Sequence, residues 1–141
     1  MAINFQFLTK DDLETRVFEQ FIDESEQEDI EATEAIEKQA IALVKSKLRK
    51  RFDVGIIFSG APYEGRDLIL WAVTGIVTYR LVRRNAARKV PSDFVKEYDE
   101  VKEWLNAVRD GKENPELPLP EEVEQKLVNW GNSTNQDLYN Y

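Results

Sequence analysis

The sequence predicts an all-α protein, a small four-helix bundle with a long central helix pair, a hydrophobic inter-helix loop and an extended C-terminal arm. Three observations support this prediction. Apolar residues recur with helical spacing in three segments, a glycine-rich apolar stretch separates the first two, and prolines interrupt the chain near its end. The chain of 141 residues has the usual length of one domain. We expect a helical core over residues 1–112 and a proline-rich spacer with a C-terminal assembly arm over residues 113–141.

The composition excludes most familiar enzyme chemistry. The chain contains no His and no Cys, so it lacks imidazole bases, thiolate nucleophiles, disulfides and the usual zinc ligands. Its net charge of −8 is opposite in sign to that of an autonomous nucleic-acid binder. We find no secretory leader and no apolar run long enough to span a membrane. We therefore expect a soluble, cytosolic protein without enzymatic activity, cofactor or metal.

A short helix is expected near the N-terminus. Thr9 is followed by an acid at Asp12, which is the spacing of a helix cap, and then by the apolar residues Leu13, Val17 and Phe18. Segment 23–31 is dominated by acids and has one apolar residue, so like-charge repulsion favours a solvated loop there.

Two long helices are expected at the centre of the fold. Segment 30–52 has one apolar face, and about 20 helical residues span about 30 Å, the breadth of a small domain. Segment 67–84 is apolar around almost its whole circumference, so we expect it to be buried. The predicted apolar face of the first helix consists of Ile36, Ala40, Leu43, Val44 and Leu48.

The fourth helix has the clearest pattern. It opens at the Pro91-Ser92-Asp93 sequence and closes at Gly111. Segment 114–120 contains three prolines, which predicts an extended, semi-rigid spacer. The apolar positions of the helix are Phe94, Tyr98, Val101, Leu105 and Val108.

A basic cluster follows each central helix. Arg49 and Arg51 end the first, and Arg83 and Arg84 end the second. Cations complement a helix C-terminus, so dipole pairing and solvation are one explanation. The functional explanation is a subunit contact, in which the acidic region 23–37 of one copy meets these clusters on the next. Such a head-to-tail contact would build rings or filaments.

Apolar residues outside the helices are further candidates for contacts between subunits. Ile56, Ile57 and Phe58 lie in the hydrophobic loop 53–65, where they would either form an apolar patch or cover the chain's own core. The C-terminal arm is too polar to fold alone, and it is either an assembly arm or a chain end without a role. The apolar anchors of the arm are Trp130, Leu138, Tyr139 and Tyr141.

The order of these features resembles the head-to-tail connector, or head-completion adaptor, proteins of tailed bacteriophages, with the Mu-like branch as the nearest likeness. The resemblance lies in two helices. The first is alanine-rich and ends in basic residues that are followed by Phe52 and Asp53. The second is the buried helix 66–84, which ends in tyrosine and arginine. It continues through the helix that carries Tyr98 and a Leu-Pro segment at 117–120, and covers about residues 5–120.

The resemblance implies a structural virion protein rather than an enzyme. Its partners would be the portal protein, copies of itself in a ring that matches the twelve-fold symmetry of the portal, and a tail or second neck protein on the distal side. DNA would only pass through the lumen, and no membrane would be involved. The protein would be made in the host cytoplasm and reside in the virion neck. A cytosolic helical module that binds or regulates a partner, and an enzyme that uses carboxylates, lysine or tyrosine, are the alternatives.

Overall fold

The computed structural model describes residues 5–14, 30–86 and 90–120. These residues are mainly helical and include no β-strand, which confirms the predicted all-α class. Within the described ranges the chain forms five helices rather than the expected four. They are α1 (Lys10–Glu14), α2 (Ile30–Leu48), α3 (Val54–Ile57), α4 (Arg66–Ala86) and α5 (Ser92–Arg109).

The three long helices, α2, α4 and α5, each pack against the other two. Arg80 of α4 donates a hydrogen bond to Gln39 of α2, so the end of α4 lies beside the first half of α2. Ring contacts pair Trp71 with Trp104 near the start of α4 and Tyr79 with Tyr98 nearer its end. The two ring pairs show that α5 runs antiparallel to α4. Asp53, just after α2, and Gly65, just before α4, both bond to segment 116–118, so α2 runs antiparallel to α4 as well. No helix in the described ranges is long and apolar enough to cross a membrane.

The core is built around α4, as its apolar circumference predicts. Seven consecutive residues, 72–78, are buried, so every side of this part of the helix is covered. Gly75 permits the close approach of α5, because a Cβ atom there would lie 2.9 Å from Cγ2 of Val101. The α5 residues Val101, Leu105 and Val108 complete this side of the core.

The buried face of α2 is rotated from the predicted one. Ile36 and Leu43 are only partly buried, whereas Thr33 and Glu37 are fully covered. The prediction was based on apolar residues alone. It therefore missed Thr33 and Glu37, two polar residues that lie on the same side of the helix as the core positions. The buried residues of α2 are Thr33, Glu37, Ala40, Ile41, Val44 and Leu48.

The predicted cap of α1 is present. The backbone N–H of Asp12 donates to Oγ1 of Thr9 at 3.2 Å, and the backbone N–H of Thr9 donates to Oδ2 of Asp12 at 2.8 Å. Leu13 is fully buried, and α1 contacts α4. The apolar residues expected to continue this helix, and the acidic segment 23–29, lie outside the described residues.

The hydrophobic loop expected over 53–65 contains a helix. Asp53 caps α3 by accepting a hydrogen bond from the backbone N–H of Ile56 at 3.2 Å. This turn directs Ile57 into the core, where its exposure is 0%. Tyr63 then donates its hydroxyl hydrogen to the carbonyl of Ile57 at 3.0 Å. Part of the loop therefore covers this chain's own core.

The described part of the proline-rich spacer does not stand away from the bundle. Its backbone is extended, as predicted, but the N–H of Gly65 donates to the carbonyl of Glu116 and the N–H of Asp53 to that of Pro118, both at 2.9 Å. Leu117 between them is 7% exposed. The described part of the spacer thus packs against the helical core.

Candidate functional site

A surface groove of about 410 Å³ opens between α2, α4 and α5. We call it the arginine–tyrosine groove, because three arginines and two tyrosines dominate its lining. Its position at the C-terminal end of α4 places it beside the first half of α2 and the start of α5. The lining residues are Ile36, Gln39, Tyr79, Arg80, Arg83, Arg84 and Tyr98.

The three arginines of the groove share one face of α4. Arg80, Arg83 and Arg84 follow the i, i+3, i+4 spacing that places helical side chains next to each other. The guanidinium of Arg80 is oriented by its hydrogen bond to Oε1 of Gln39 at 3.1 Å, and Arg83 and Arg84 are exposed. Because these cations occupy the last turns of α4, they also complement the partial negative charge of the helix C-terminus.

Two tyrosines provide a rigid aromatic surface in the groove. The rings of Tyr79 and Tyr98 are stacked, with 4.1 Å between centroids and 3° between planes. Both rings are half-buried, so each has one part in the helix interface and another at the surface. The ammonium of Lys102 lies 4.6 Å from the centroid of Tyr98, which adds a further cation at this side of α5.

This lining suits binding of an anion. Arginine keeps its proton at physiological pH and offers a planar fork of donors that matches carboxylate or phosphate oxygens. Among the described residues that line the groove there is no carboxylate and no imidazole. The arginines therefore make the groove suitable for recognition of a negatively charged group.

A second depression, of about 350 Å³, lies on another side of α2. Its lining includes the carboxylates of Glu31 and Glu34, which we call the acidic face, and the ammonium of Lys38. Ile36, which lines the arginine–tyrosine groove, is two residues from both Glu34 and Lys38, a rotation of about 200° around an α-helix. Glu34 and the groove residue Ile36 therefore point in different directions from the same helix, whereas Glu31 lies only about 80° around the helix from Gln39, which also lines the groove.

Glu37 lines this second depression but is engaged inside the chain. Its side chain is 1% exposed, and its two carboxylate oxygens accept three backbone N–H groups, from Gln6 at 2.7 Å, Phe7 at 2.9 Å and Leu8 at 2.8 Å. This carboxylate therefore holds the N-terminal segment against α2 and has a structural role.

The structure separates the two predicted basic clusters. Arg83 and Arg84 lie together in the arginine–tyrosine groove, while Arg49 and Arg51 follow the other end of the antiparallel α2. Arg49 is exposed. Arg51 instead donates to the carbonyl oxygens of Val108 and Glu113 and to Oδ1 of Asn114 at 2.7 Å. Its hydrogen bonds connect the chain after α2 to the end of α5.

The predicted apolar contact residues differ in accessibility. Ile56 is 42% exposed, whereas Ile57 is completely buried and therefore has no surface to offer a partner. Phe58 is half-buried, and its ring lies edge-on to that of Phe7 with 4.9 Å between centroids. The arm residues Trp130, Leu138, Tyr139 and Tyr141 lie outside the described residues.

Sequence reasoning missed the aromatic half of the groove. The spacing predicted Tyr98 as an apolar position of the fourth helix and Tyr79 as part of the apolar segment 67–84, although a charged residue directly follows each of them, Arg80 or Asp99. An amphipathic tyrosine beside a basic cluster is the sequence feature that could have indicated a surface site. Among the described residues, no group of acidic side chains is arranged to hold a metal ion.

In comparisons with known proteins, no family model matches this chain, and neither a curated sequence nor a solved structure is significantly similar to it.

Proposed function

We propose that this protein is a structural subunit of the neck of a tailed-bacteriophage virion. Copies form a ring beneath the portal protein, join the head to the tail and let DNA pass through the lumen. One observation carries this proposal. The two segments with the resemblance, 35–53 and 66–84, overlap the helices α2 and α4. These helices run antiparallel, so their basic ends lie at opposite ends of the bundle. A subunit of this form has one basic contact region at each end.

In this proposal the fold is a small connector-type bundle. Helices α2 and α4 are its central pair, α5 and α1 pack around α4, and α3 occupies the connection between the central helices. The described part of the spacer closes the end of the bundle near Arg51. The remaining C-terminal arm, from residue 121 onward, would contact the portal or a neighbouring subunit.

The charge distribution supports a ring that tolerates DNA without holding it. A net charge of −8 per copy repels a polyanion, so a lumen built from many copies would let a duplex slide. The arginine–tyrosine groove offers recognition of an anionic group, and its lining, as far as the structure describes it, holds no general base. These properties favour assembly over catalysis and need no cofactor.

The experiment is reconstitution with the portal protein encoded in the same phage genome. Purified chain and portal are mixed and examined by electron microscopy and mass photometry. We expect an additional ring on the portal whose mass corresponds to about twelve copies, in keeping with the cyclic symmetry of such assemblies. A chain that leaves the portal undecorated at saturating concentration, in a genome without portal or capsid genes nearby, would contradict the proposal.

A helical partner-binding or regulatory module is the second candidate, and the arginine–tyrosine groove is the observation that favours it. The same reconstitution separates the two functions. A module of this kind would bind one or two copies of a host protein and form no symmetric assembly with the portal.

A further inference from the structure

We infer that the arginine–tyrosine groove binds a small molecule that carries a phosphate monoester on an apolar or aromatic body. Guanidinium, amide and hydroxyl groups of the groove hold the phosphate, and the apolar part of the lining contacts the body. This inference does not depend on the proposed neck function, because the groove belongs to a single chain.

Two guanidinium groups of the groove are available to a ligand. The side chain of Arg83 is exposed and makes no hydrogen bond or ion pair with any residue that the structure describes. Arg80, three residues earlier on the same helical face, donates to Oε1 of Gln39 at 3.1 Å, which orients its guanidinium and leaves further N–H donors. Arg84 also lines the groove but already has an interaction within the chain, so the site is built without it.

The other polar side chains of the groove add donors from two more helices. Oε1 of Gln39 on α2 already accepts from Arg80, so the amide offers its NH₂ group. The hydroxyls of Tyr79 on α4 and Tyr98 on α5 form no hydrogen bond with a described residue. No side chain in the described lining carries a negative charge. A ligand group that only accepts hydrogen bonds, such as an ionised phosphate, satisfies these donors.

A phosphate monoester fits this set of donors better than a carboxylate. A carboxylate has two oxygens in one plane and is satisfied by a single guanidinium fork. A phosphate monoester has three terminal oxygens in different directions and a charge of about −1.5 to −2 at pH ~7. Its oxygens therefore accept from donors on α2, α4 and α5 together, and Arg80 and Arg83 balance its charge.

The size and the apolar lining of the groove leave room for the body of the ligand. The volume of about 410 Å³ lies in the range of roughly 300–1,000 Å³ that is usual for small-molecule sites. Ile36 contributes half-buried apolar surface, and the stacked rings of Tyr79 and Tyr98 lie 4.1 Å apart. Because the two rings hold each other in place, they form a wall that does not have to be ordered when the ligand binds.

The charge of the whole protein favours a small ligand over a nucleic acid. A net charge of −8 repels at long range a duplex that carries a charge at every phosphate. A phosphate monoester brings only one such group, and at contact distance that group meets two guanidiniums. The groove therefore suits a phosphorylated small molecule.

The test is a titration of the full-length chain with phenyl phosphate, measured by calorimetry and by NMR of the backbone N–H groups. We expect saturable one-to-one binding with a dissociation constant at or below about 1 mM, and signal shifts at groove residues of α2, α4 and α5. Phenol should not bind at the same concentrations. Inorganic phosphate should bind at least about threefold more weakly than phenyl phosphate, since it lacks the body that contacts Ile36.

Substitutions in the groove assign the binding to named side chains. Arg83→Gln should weaken phenyl phosphate binding at least about tenfold, because a charge-assisted fork is lost, and Arg83→Lys should be intermediate, because it keeps only the charge. Tyr79→Phe with Tyr98→Phe keeps both rings, removes two donors and should weaken binding at least about threefold. Arg49→Gln, which removes an exposed cation at the other end of the bundle, should bind like the wild type. Circular dichroism establishes that each variant is folded.

The pH dependence of binding identifies the doubly charged phosphate. Histidine is the only side chain whose ordinary pKa lies between pH ~5 and ~8, and the chain has none. A phosphate monoester loses its second proton near pH ~6. Phenyl phosphate should therefore bind about three- to tenfold more tightly at pH ~7 than at pH ~5. Benzenesulfonate keeps a single charge, so it should bind more weakly at pH ~7 and without this change.

Each part of the experiment has an outcome that would overturn the inference. These outcomes are unsaturable phenyl phosphate binding, equal affinities of Arg83→Gln and Arg49→Gln, and benzenesulfonate binding as tightly as phenyl phosphate at pH ~7. Displacement of phenyl phosphate by a duplex without terminal phosphates, at physiological salt, would assign the groove to nucleic acid instead. Failure of the portal reconstitution leaves the result unaffected, because phenyl phosphate is titrated into the free chain.

Discussion

Glu37 and Leu8 are 29 residues apart in the sequence, yet the buried carboxylate of Glu37 accepts the backbone N–H of Leu8 at 2.8 Å. The same carboxylate also accepts the N–H groups of Gln6 and Phe7. One side chain thus supplies the hydrogen-bond acceptor for three backbone N–H groups. Glu37 is the point at which the N-terminal segment is attached to the helical core.

Glu37→Gln should destabilise the protein by about 1–3 kcal/mol, the usual range for losing hydrogen bonds to a charged group. The amide has one acceptor oxygen, and its NH₂ group would face backbone donors. Urea unfolding measures the change, with Glu100→Gln at an exposed position of α5 as the control, for which we expect a change within about 0.5 kcal/mol. Equal stability of the two variants would show that the carboxylate does not anchor the segment.

Arg51 makes a second long-range connection, which competes with its predicted role in subunit contacts. Its guanidinium bonds to Val108, Glu113 and Asn114. Arg51→Ala should cost about 1–3 kcal/mol, because it removes the charge-assisted hydrogen bonds that join the chain after α2 to the end of α5. Arg49→Ala, at an exposed neighbouring position, should change the free energy of unfolding by less than about 0.5 kcal/mol. If Arg51→Ala impairs portal attachment but leaves unfolding unchanged, Arg51 is a contact residue.

The long helices were predictable from the sequence because burial repeats along them with the helical period. In α4 the apolar residues surround the helix, and in α5 they return every three or four positions, so both the existence and the buried faces of these elements follow from spacing. The short α3 was not predictable in this way, since four residues contain only one helical turn. Its formation depends on the cap at Asp53 and on the burial of Ile57.

The groove was predictable only in part. Arg80, Arg83 and Arg84 are neighbours on one helix, so local spacing brings them together. Ile36 and Tyr98 reach the same place through the packing of α2 and α5 against α4, which the period of each helix alone does not specify. Glu37 was missed for a different reason, since a buried carboxylate is recognisable only when its backbone donors, distant in sequence, are known.

Tyr63 should make the stability of the protein depend on pH in the alkaline range. Burial raises the pKa of Tyr63 to about 12, although the positive charge of Arg66 opposes part of this effect. In the unfolded chain the phenol ionises near its ordinary pKa of about 10. The unfolded state therefore loses this proton first, so the stabilisation is complete below pH ~10 and is lost as the pH rises towards ~12.

Tyr63→Phe should remove that contribution to the pH dependence. Between pH ~9 and ~12 the free energy of unfolding should fall more steeply with pH for the wild type than for Tyr63→Phe. The variant should also be less stable at neutral pH, because the carbonyl of Ile57 loses its hydrogen-bond donor at 3.0 Å. Identical slopes for the two proteins would mean that Tyr63 titrates alike in the folded and unfolded states.

We expect that adding a single methyl group at Gly65 displaces the spacer from the helical core. A Cβ atom there would lie 2.6 Å from the carbonyl oxygen of Glu116 and 2.9 Å from Cδ2 of Leu117. The first contact involves backbone and cannot be relieved by rotating a side chain, so Gly65→Ala must displace residues 113–120 and break the hydrogen bond from the Gly65 N–H to Glu116. We expect a loss of about 1–3 kcal/mol, as for other overpacked positions. Hydrogen exchange should accelerate at the backbone N–H of residue 65 and at that of Asp53, which is bonded to the same segment.

Gly55→Ala is the control, because its Cβ would meet only Oδ1 of Asp53 at 3.3 Å and alanine favours the helix that Gly55 occupies. Exchange rates unchanged by Gly65→Ala would mean that the spacer is not held against the core by this close approach.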